Sequence, residues 1–269
     1  MRKKRILIIA AIVLVTIVCW IAYDNNHLVT TEYTVKSSGI DKELVIAQIS
    51  DYHNCKKFED RIIHVLTQKK PNYIALTGDL IDGNKTDLQS AISLAKKLTE
   101  IAPTFYVTGN HEAGDTGAKL KEDLEGLGVK VLSNKGVSLP GDVSIYGIDD
   151  PLLNRDTDAD SVGIIKRTLA DLTVDESNFN ILLSHRPEAY QAYIEREYDI
   201  VLTGHAHGGQ FRLPFVGGVI APDQGIFPKY DSGKFEENGT TMIVNRGIGN
   251  SIIPFRINNP PELVFIKIS

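Results

Sequence analysis

Five short apolar runs, each closing on ligand-type side chains, constrain this chain more than any other feature of its sequence. Leu44–Ser50 runs into Asp51 and His53, Tyr73–Thr77 into Gly78-Asp79, and Thr104–Val107 into Thr108-Gly109-Asn110-His111. Asn180–Ser184 leads to His185, and Ile200–Thr203 to Gly204-His205-Ala206-His207. Runs this short and apolar read as buried strands. Between them lie stretches of helical period. Ile62, Ile63 and Leu66 face one way within Phe58–Lys69, and Leu88, Ala91, Ile92, Ala95 and Leu98 make a second stripe. Strand-helix alternation implies βαβ crossovers and a largely parallel core sheet, an α/β fold. Ligands of open α/β sheets bind at the carboxyl ends of the strands. Topology alone therefore gathers Asp51, His53, Asp79, Asn110, His111, His185, His205 and His207 on one edge.

Taken singly, each cluster has a bland reading: Asp-x-His as a turn, Gly-Asn-His as a left-handed turn with a satisfied histidine. Their joint occurrence is what points to a metal site, because five of the seven histidines fall at strand ends in order. Imidazole, carboxylate and one amide, without thiolate, suit Mn²⁺, Fe or Zn²⁺ better than Ca²⁺ or an iron–sulfur cluster. Mn²⁺ is the first expectation. So many ligands exceed one ion's needs, and two ions sharing a carboxylate is the economical arrangement. Two ions about 4 Å apart lower the pKa of a bridging water and clamp an in-line phosphoryl displacement.

The ordered series Asp51-x-His53, Gly78-Asp79, Gly109-Asn110-His111-Glu112, His185 and Gly204-His205-x-His207 resembles the calcineurin-like metallophosphoesterases. The resemblance spans about residues 44 to 208 and implies two sheets in an α-β-β-α sandwich around a dinuclear centre. By position, it assigns Asp51, His53 and His207 to a first ion, Asp79 to the bridge, and Asn110, His185 and His205 to a second. It implies a metal-bridging hydroxide as nucleophile and a catalytic His111 acting on the leaving oxygen, beside Asn110. The N-terminal segment and the tail motifs Gly209-Gln210-x-Arg212, Asn245-Arg246-Gly247 and Pro254-x-Arg256 are similar to the membrane-anchored bacterial branch. That branch includes envelope phosphoesterases and UDP-2,3-diacylglucosamine pyrophosphatase-like enzymes. Tyr52 and Asn54 depart from the aliphatic residue and glycine common in the first motif, which marks Tyr52 as a substrate-side candidate.

The chain begins Arg2-Lys3-Lys4-Arg5, and from Ile6 to Tyr23 Thr16 is the one polar residue. Eighteen helical residues rise roughly 27 Å, enough to cross a bilayer's hydrocarbon core. A basic head over 1–5, a signal anchor over 6–23, a linker over 24–31 and a catalytic domain over 32–269 are therefore expected. The cations stay cytoplasmic and the domain extracytoplasmic; the competing reading is a cleaved signal peptide. The net charge of −5 hides a split: without the four head cations, 25 basic residues face 34 acidic ones, a balance of −9. Such a surface argues against nucleic acid as a partner. The linker holds the domain near the membrane, which points to a lipid-like or envelope substrate.

Arg186, next to His185, and Arg246, after a strand, are candidates for meeting a substrate phosphate; the bland reading is a salt bridge. Phe211–Phe235 reads as a hairpin packed on the sheet or as an apolar lip that meets acyl chains or the bilayer. The expected activity is hydrolysis of phosphodiesters or pyrophosphates, with a broad phosphomonoesterase or a non-catalytic metal-binding module as alternatives. Oligomeric state is not legible here.

Overall fold

Continuous apolar strands must be covered on both faces, and the computed structural model shows what covers them. It describes residues 2–37, 40, 42–154, 160–196, 198–250 and 253–269. After helix α1 (Arg2–Asn26) come strands β1 (Val29–Val35), β2 (Leu44–Ile49), β3 (Tyr73–Thr77), β4 (Thr104–Val107) and β5 (Lys130–Val131). Helices α2 (Glu59–Lys69), α3 (Leu88–Thr99) and α4 (Asp115–Gly126) form the crossovers between β2 and β5. The chain continues through β6 (Lys135–Leu139), β7 (Val143–Gly147), α5 (Ser161–Asp171), β8 (Phe179–Leu183), α6 (Tyr190–Ile194) and β9 (Ile200–Thr203). Small hairpins follow, β10 (Arg212–Leu213) with β11 (Gly217–Gly218) and β12 (Ile220–Ala221) with β13 (Gly225–Ile226). Strands β14 (Gly233–Glu237), β15 (Thr240–Val244) and β16 (Glu262–Ile268) close the fold.

As the resemblance implies, the strands form two sheets, both six-stranded and mixed though largely parallel, ordered β1-β16-β2-β3-β4-β5 and β14-β15-β9-β8-β7-β6. The chain changes sheets between β5 and β6, where the antiparallel β6–β7 pair starts the second sheet. Alternation along each strand then assigns its two faces. Ile46, Ala75, Phe105 and Val107 of the first sheet meet Ile145, Ile181, Leu202 and Ile243 of the second. On the outer face of the first, Ala47, Ile74 and Leu76 pack against Ile62, Leu94, Leu98 and Leu120 of α2, α3 and α4. Leu182, Val201 and Met242 carry Ile165, Leu169 and Tyr193 of α5 and α6 on the other side. The result is an α-β-β-α sandwich. Both sheets send strand ends to one edge: β2, β3 and β4 from the first, β8 and β9 from the second.

Helix α1 is long and apolar enough to cross a membrane, with a mean hydropathy of 2.9 over an 18-residue window of which none is buried. Its bounds correct the eight-residue linker. Asp24 to Asn26 stay helical although Asp and Asn are weak helix formers, and the Asn25 and Asn26 side chains donate back to the Ile21 and Ala22 carbonyls. The β-branched Val29-Thr30-Thr31 runs parallel to Glu262–Val264. Only His27 and Leu28 lie between helix and sheet. The helix end is also bonded to the domain: the Asn25 amide donates to the Arg256 carbonyl (2.8 Å) and accepts from the Arg256 N–H (2.9 Å).

Candidate metal centre

Five strand ends deliver seven ligand-type side chains to the edge shared by the sheets. Asp51, His53, Asp79 and His207 present ligand atoms within 4.8 Å of one another, as do Asp79, His185 and His205. Asp79 belongs to both groups. Asn110 stands in the turn after β4, and its Oδ1 is buried with no hydrogen-bond partner.

The spacings suit bound cations. Two ligands about 2.1 Å from one ion, at octahedral to tetrahedral angles, stand about 3.0–3.4 Å apart. In the first group, Nε2 of His207 is 3.2 Å from Nε2 of His53 and 3.3 Å from Asp51 Oδ1. In the second, Nε2 of His185 is 3.2 Å from both Asp79 Oδ2 and His205 Nδ1. Buried imidazole nitrogens facing each other, and an orphaned amide oxygen, are what a cation would satisfy. The residues therefore fit two divalent ions.

Backbone geometry has to be forced to aim these groups. Asp51, His53, Asp79, His205 and His207 all have left-handed φ, from 44° to 66°. Each such residue costs on the order of 1 kcal/mol and persists only where its surroundings over-determine it. Those surroundings are explicit. Glu112, fully buried, accepts from the N–H groups of Asp79 (2.8 Å), Ile81 (3.1 Å) and Gly109 (2.7 Å), pinning two ligand turns together. Burial and the nearby Asp79 charge push its carboxyl up to about 7. The Asp51 carboxylate accepts from the His205 N–H (3.1 Å), and Gln48 bonds Thr77 and the Thr203 carbonyl, joining the two sheets below the site. At Gly204 the backbone passes so close that a Cβ would lie 2.3 Å from Asp51 Oδ2.

Electrostatics separates the two groups. Burial alone would raise Asp79, yet the imidazoles of His185, His53 and His111 hold it well below the usual carboxylate range. Burial opposes protonation of His185, but the Asp79 carboxylate overrides it and lifts His185 to about 10. His207 is pushed down to about 3, chiefly by burial. Nδ1 of His185 contacts the Thr77 carbonyl at 2.8 Å, so it carries the donated proton and Nε2 is left for a metal.

His111 stands at the edge of the site, its ring 4.6 Å from that of His53 and edge-on to it. Its Nδ1 accepts from the Gly83 N–H (2.8 Å), which leaves the proton of the neutral ring on Nε2.

The substrate-side candidates need correction. Tyr52 is fully buried; its hydroxyl donates to Glu59 (3.3 Å) and accepts from Ser90 (3.4 Å). In the left-handed turn between Asp51 and His53 its ring points into the first sheet's helical layer, so it does not face substrate. Arg186 is buried with both forks occupied: Nε and one terminal nitrogen clamp Asp150 (2.5 and 3.0 Å), and the other reaches Asp223 and His205. Arg246 is paired with Glu262 (2.8 Å). Neither offers a guanidinium free of a carboxylate.

Sequence reasoning missed Asp150 and Asp223, and it named Arg256 in a tail motif without giving it a role. Asp150 follows β7, a strand whose apolar Val143–Gly147 run leads, like the other five, to ligand-type side chains, here Asp149-Asp150; that signal is in the sequence. Asp223, from the loop joining β12 and β13, lies 2.9 Å from His205 Nε2, and nothing local marks it. Arg256 is fully buried and donates to the Arg246 and Gly249 carbonyls, with its guanidinium 3.4 Å from His207 Nδ1.

With that geometry in place, comparison with known proteins is informative. A family model for calcineurin-like phosphoesterases matches residues 44–209. The uncharacterized metallophosphoesterase YkuE of Bacillus subtilis is 31% identical, across 90% of this chain and 86% of its own. An uncharacterized metallophosphoesterase of Aquifex aeolicus is 32% identical, across 91% and 93%. The phosphodiesterase YaeI of Escherichia coli is 28% identical, across 75% and 72%. Among solved structures, TT1561 of Thermus thermophilus superposes with a TM-score of 0.51 at 12% identity, covering 77% of this chain and 90% of that one; this is a likeness of fold alone.

Proposed function

From the premise that this chain belongs to the calcineurin-like phosphoesterases, we propose that it is a membrane-anchored, two-metal hydrolase of phosphodiester or pyrophosphate bonds. Its substrates are an envelope lipid or a cell-wall phosphoester. Asp51, His53, Asp79 and His207 would hold one ion and Asp79, Asn110, His185 and His205 the other, with Mn²⁺ the first candidate. When bound, the pair supplies an activated water and neutralises charge on the phosphoryl oxygens. His111 acts on the leaving oxygen: with Nδ1 fixed by Gly83, its Nε2–H is the group that donates a hydrogen bond to the charge developing there. Glu112 and Asp223 act indirectly, holding the Asp79 turn and the His205 ring in place. The basic residues Arg2 to Arg5 keep the start of α1 in the cytoplasm and the site outside.

The observation that carries the phosphoesterase reading is the convergence of two ligand groups on a shared Asp79. Preference for a diester rests on a second one. A phosphomonoester brings an extra negative charge, and Arg186, Arg246 and Arg256 are all committed to carboxylates or carbonyls. The name of YaeI, a phosphodiesterase, agrees with that preference. The test is steady-state turnover by the Mn²⁺-loaded protein of an aryl phosphodiester against the matching phosphomonoester. Faster hydrolysis of the diester is expected. Preference for the monoester would overturn the bond class, and no turnover of either with metal bound would sink the enzyme reading.

A further inference from the structure

Two hairpins project apolar side chains into solvent beside the metal centre. Phe215 at the β10–β11 tip is fully exposed, Val216 is 60% exposed, and Ile226 and Phe227 past the β12–β13 turn are 71% and 59% exposed. Phe215 and Phe227 also hold left-handed φ, 67° and 55°. Turn positions of that kind normally go to Gly, Asn or Asp, so large aromatic residues there are displayed against local preference. An exposed apolar cluster of this kind marks a surface that meets something apolar.

Its position says what. The hairpins grow from the ligand turn itself: the Val219 N–H donates to the Gly209 carbonyl (3.1 Å), two residues beyond His207. The loop between β12 and β13 returns Asp223 to His205. Phe211, entering the first hairpin, packs against Phe255 with ring centroids 5.5 Å apart. Phe255 is itself partly exposed, and its neighbour Arg256 is the residue bonded in both directions to Asn25 at the end of α1. The apolar tips are thus linked, through Phe211 and Phe255, to the point where the membrane-length helix leaves the domain. Cations flank the same region. Lys57 donates to the Asn25 carbonyl (2.6 Å), and exposed Lys229 follows Phe227 by two residues, a placement suited to anionic headgroups.

We propose that Phe215, Val216, Ile226, Phe227 and Phe255 rest in the lipid–water interface as a second membrane contact, so that the metal centre takes its phosphoester from a lipid headgroup at the bilayer surface. The two hairpins and α1 then hold the domain at two points, with the ligand turn between them. This rests on the reading of α1 as an anchor and of the site as a phosphoesterase, and deepens both by naming where the substrate comes from.

The test uses the full chain in vesicles of phosphatidylethanolamine and phosphatidylglycerol containing brominated lipid. Trp20, in α1, is the chain's one tryptophan, so the wild type reports on the helix alone. Trp20→Phe combined with Phe215→Trp or Phe227→Trp moves the probe to each tip. Quenching at the tips and at Trp20 is expected; quenched tips with an unquenched Trp20 would overturn the anchor reading and with it the two-point hold, while leaving the tips as a membrane contact. Unquenched tips with a quenched Trp20 overturn this proposal and spare the anchor. Quenching at neither place overturns both. Substrate source is read with the double variant Phe215→Ser/Phe227→Ser. Hydrolysis of a vesicle-embedded phospholipid diester should fall about tenfold or more, with a soluble aryl phosphodiester unchanged. Equal rates on the vesicle substrate, or equal losses on both, would overturn the lipid-headgroup assignment.

Discussion

Replacing Gly204 by alanine probes how tightly the Asp51 ligand is fixed. The added Cβ would lie 1.8 Å from Ser50 Oγ and 2.3 Å from Asp51 Oδ2, against the 3.0 Å that real Cβ atoms essentially never undercut. Ser50 Oγ can rotate away, but its Cβ, at 2.9 Å, is also crowded. The Asp51 carboxylate must then retreat by about 0.7 Å, well beyond the roughly 0.2 Å tolerance of a metal–ligand distance. Retreat also strains its bond from the His205 N–H. Overpacking of this kind costs about 1–3 kcal/mol of stability. The expected outcome is a folded protein whose first ion binds about 10- to 100-fold more weakly and whose turnover falls about 100-fold. Calorimetric titration with Mn²⁺ and steady-state kinetics measure both. Gly126→Ala is the control, since its added Cβ meets nothing within 4 Å. A Gly204→Ala protein with wild-type ion affinity and turnover would refute the close approach on which this reasoning depends.

Other expectations follow from the same geometry. His111→Ala should lower kcat about 10²- to 10³-fold with two ions still bound, and the loss should shrink for highly activated aryl leaving groups; unchanged turnover with metal retained would remove its role at the leaving oxygen. Asp223→Asn takes the carboxylate from His205 Nε2 and should weaken the second ion about 10- to 100-fold, leaving the first unaffected; equal weakening of both would contradict its assignment. Ion uptake should also depend on pH at one group only. His185, raised to about 10, stays protonated at neutral pH and must release its proton to a metal, so affinity of the second group should rise about tenfold per pH unit from 7 to 9. His207, pushed down to about 3, has no proton to displace, so the first group should be nearly flat. Titration in buffers of different ionisation enthalpy reads the released proton directly, and two equally pH-dependent sites would contradict this.

Much of the site was legible because strand ends are easy to see and their order carries information. Asp51, His53, Asp79, Asn110, His185, His205 and His207 could be placed on one edge from apolar runs alone. What periodicity did not disclose is that two sheets share that edge, since a parallel strand reads the same in either. Tyr52 was misplaced because alternation fails in a left-handed turn, where its neighbours face the metals and its ring faces the core. Arg186 and Arg246 looked available because their partners Asp150, Asp223 and Glu262 are distant in sequence. The linker contracted because Asn25 ties the last turn of α1 to Ile21 and to Arg256, and β1 finds its partner at the far end of the chain. The apolar residues of 211–235 were visible, but whether they pack or project depends on turns no pattern announces.

Anomalous diffraction from Mn²⁺-soaked crystals tests the central claim most directly. Two peaks about 3.5–4 Å apart are expected. One should lie among Asp51, His53, Asp79 and His207, the other among Asp79, Asn110, His185 and His205. A single peak, or a second one away from Asp79, would contradict the two-metal site.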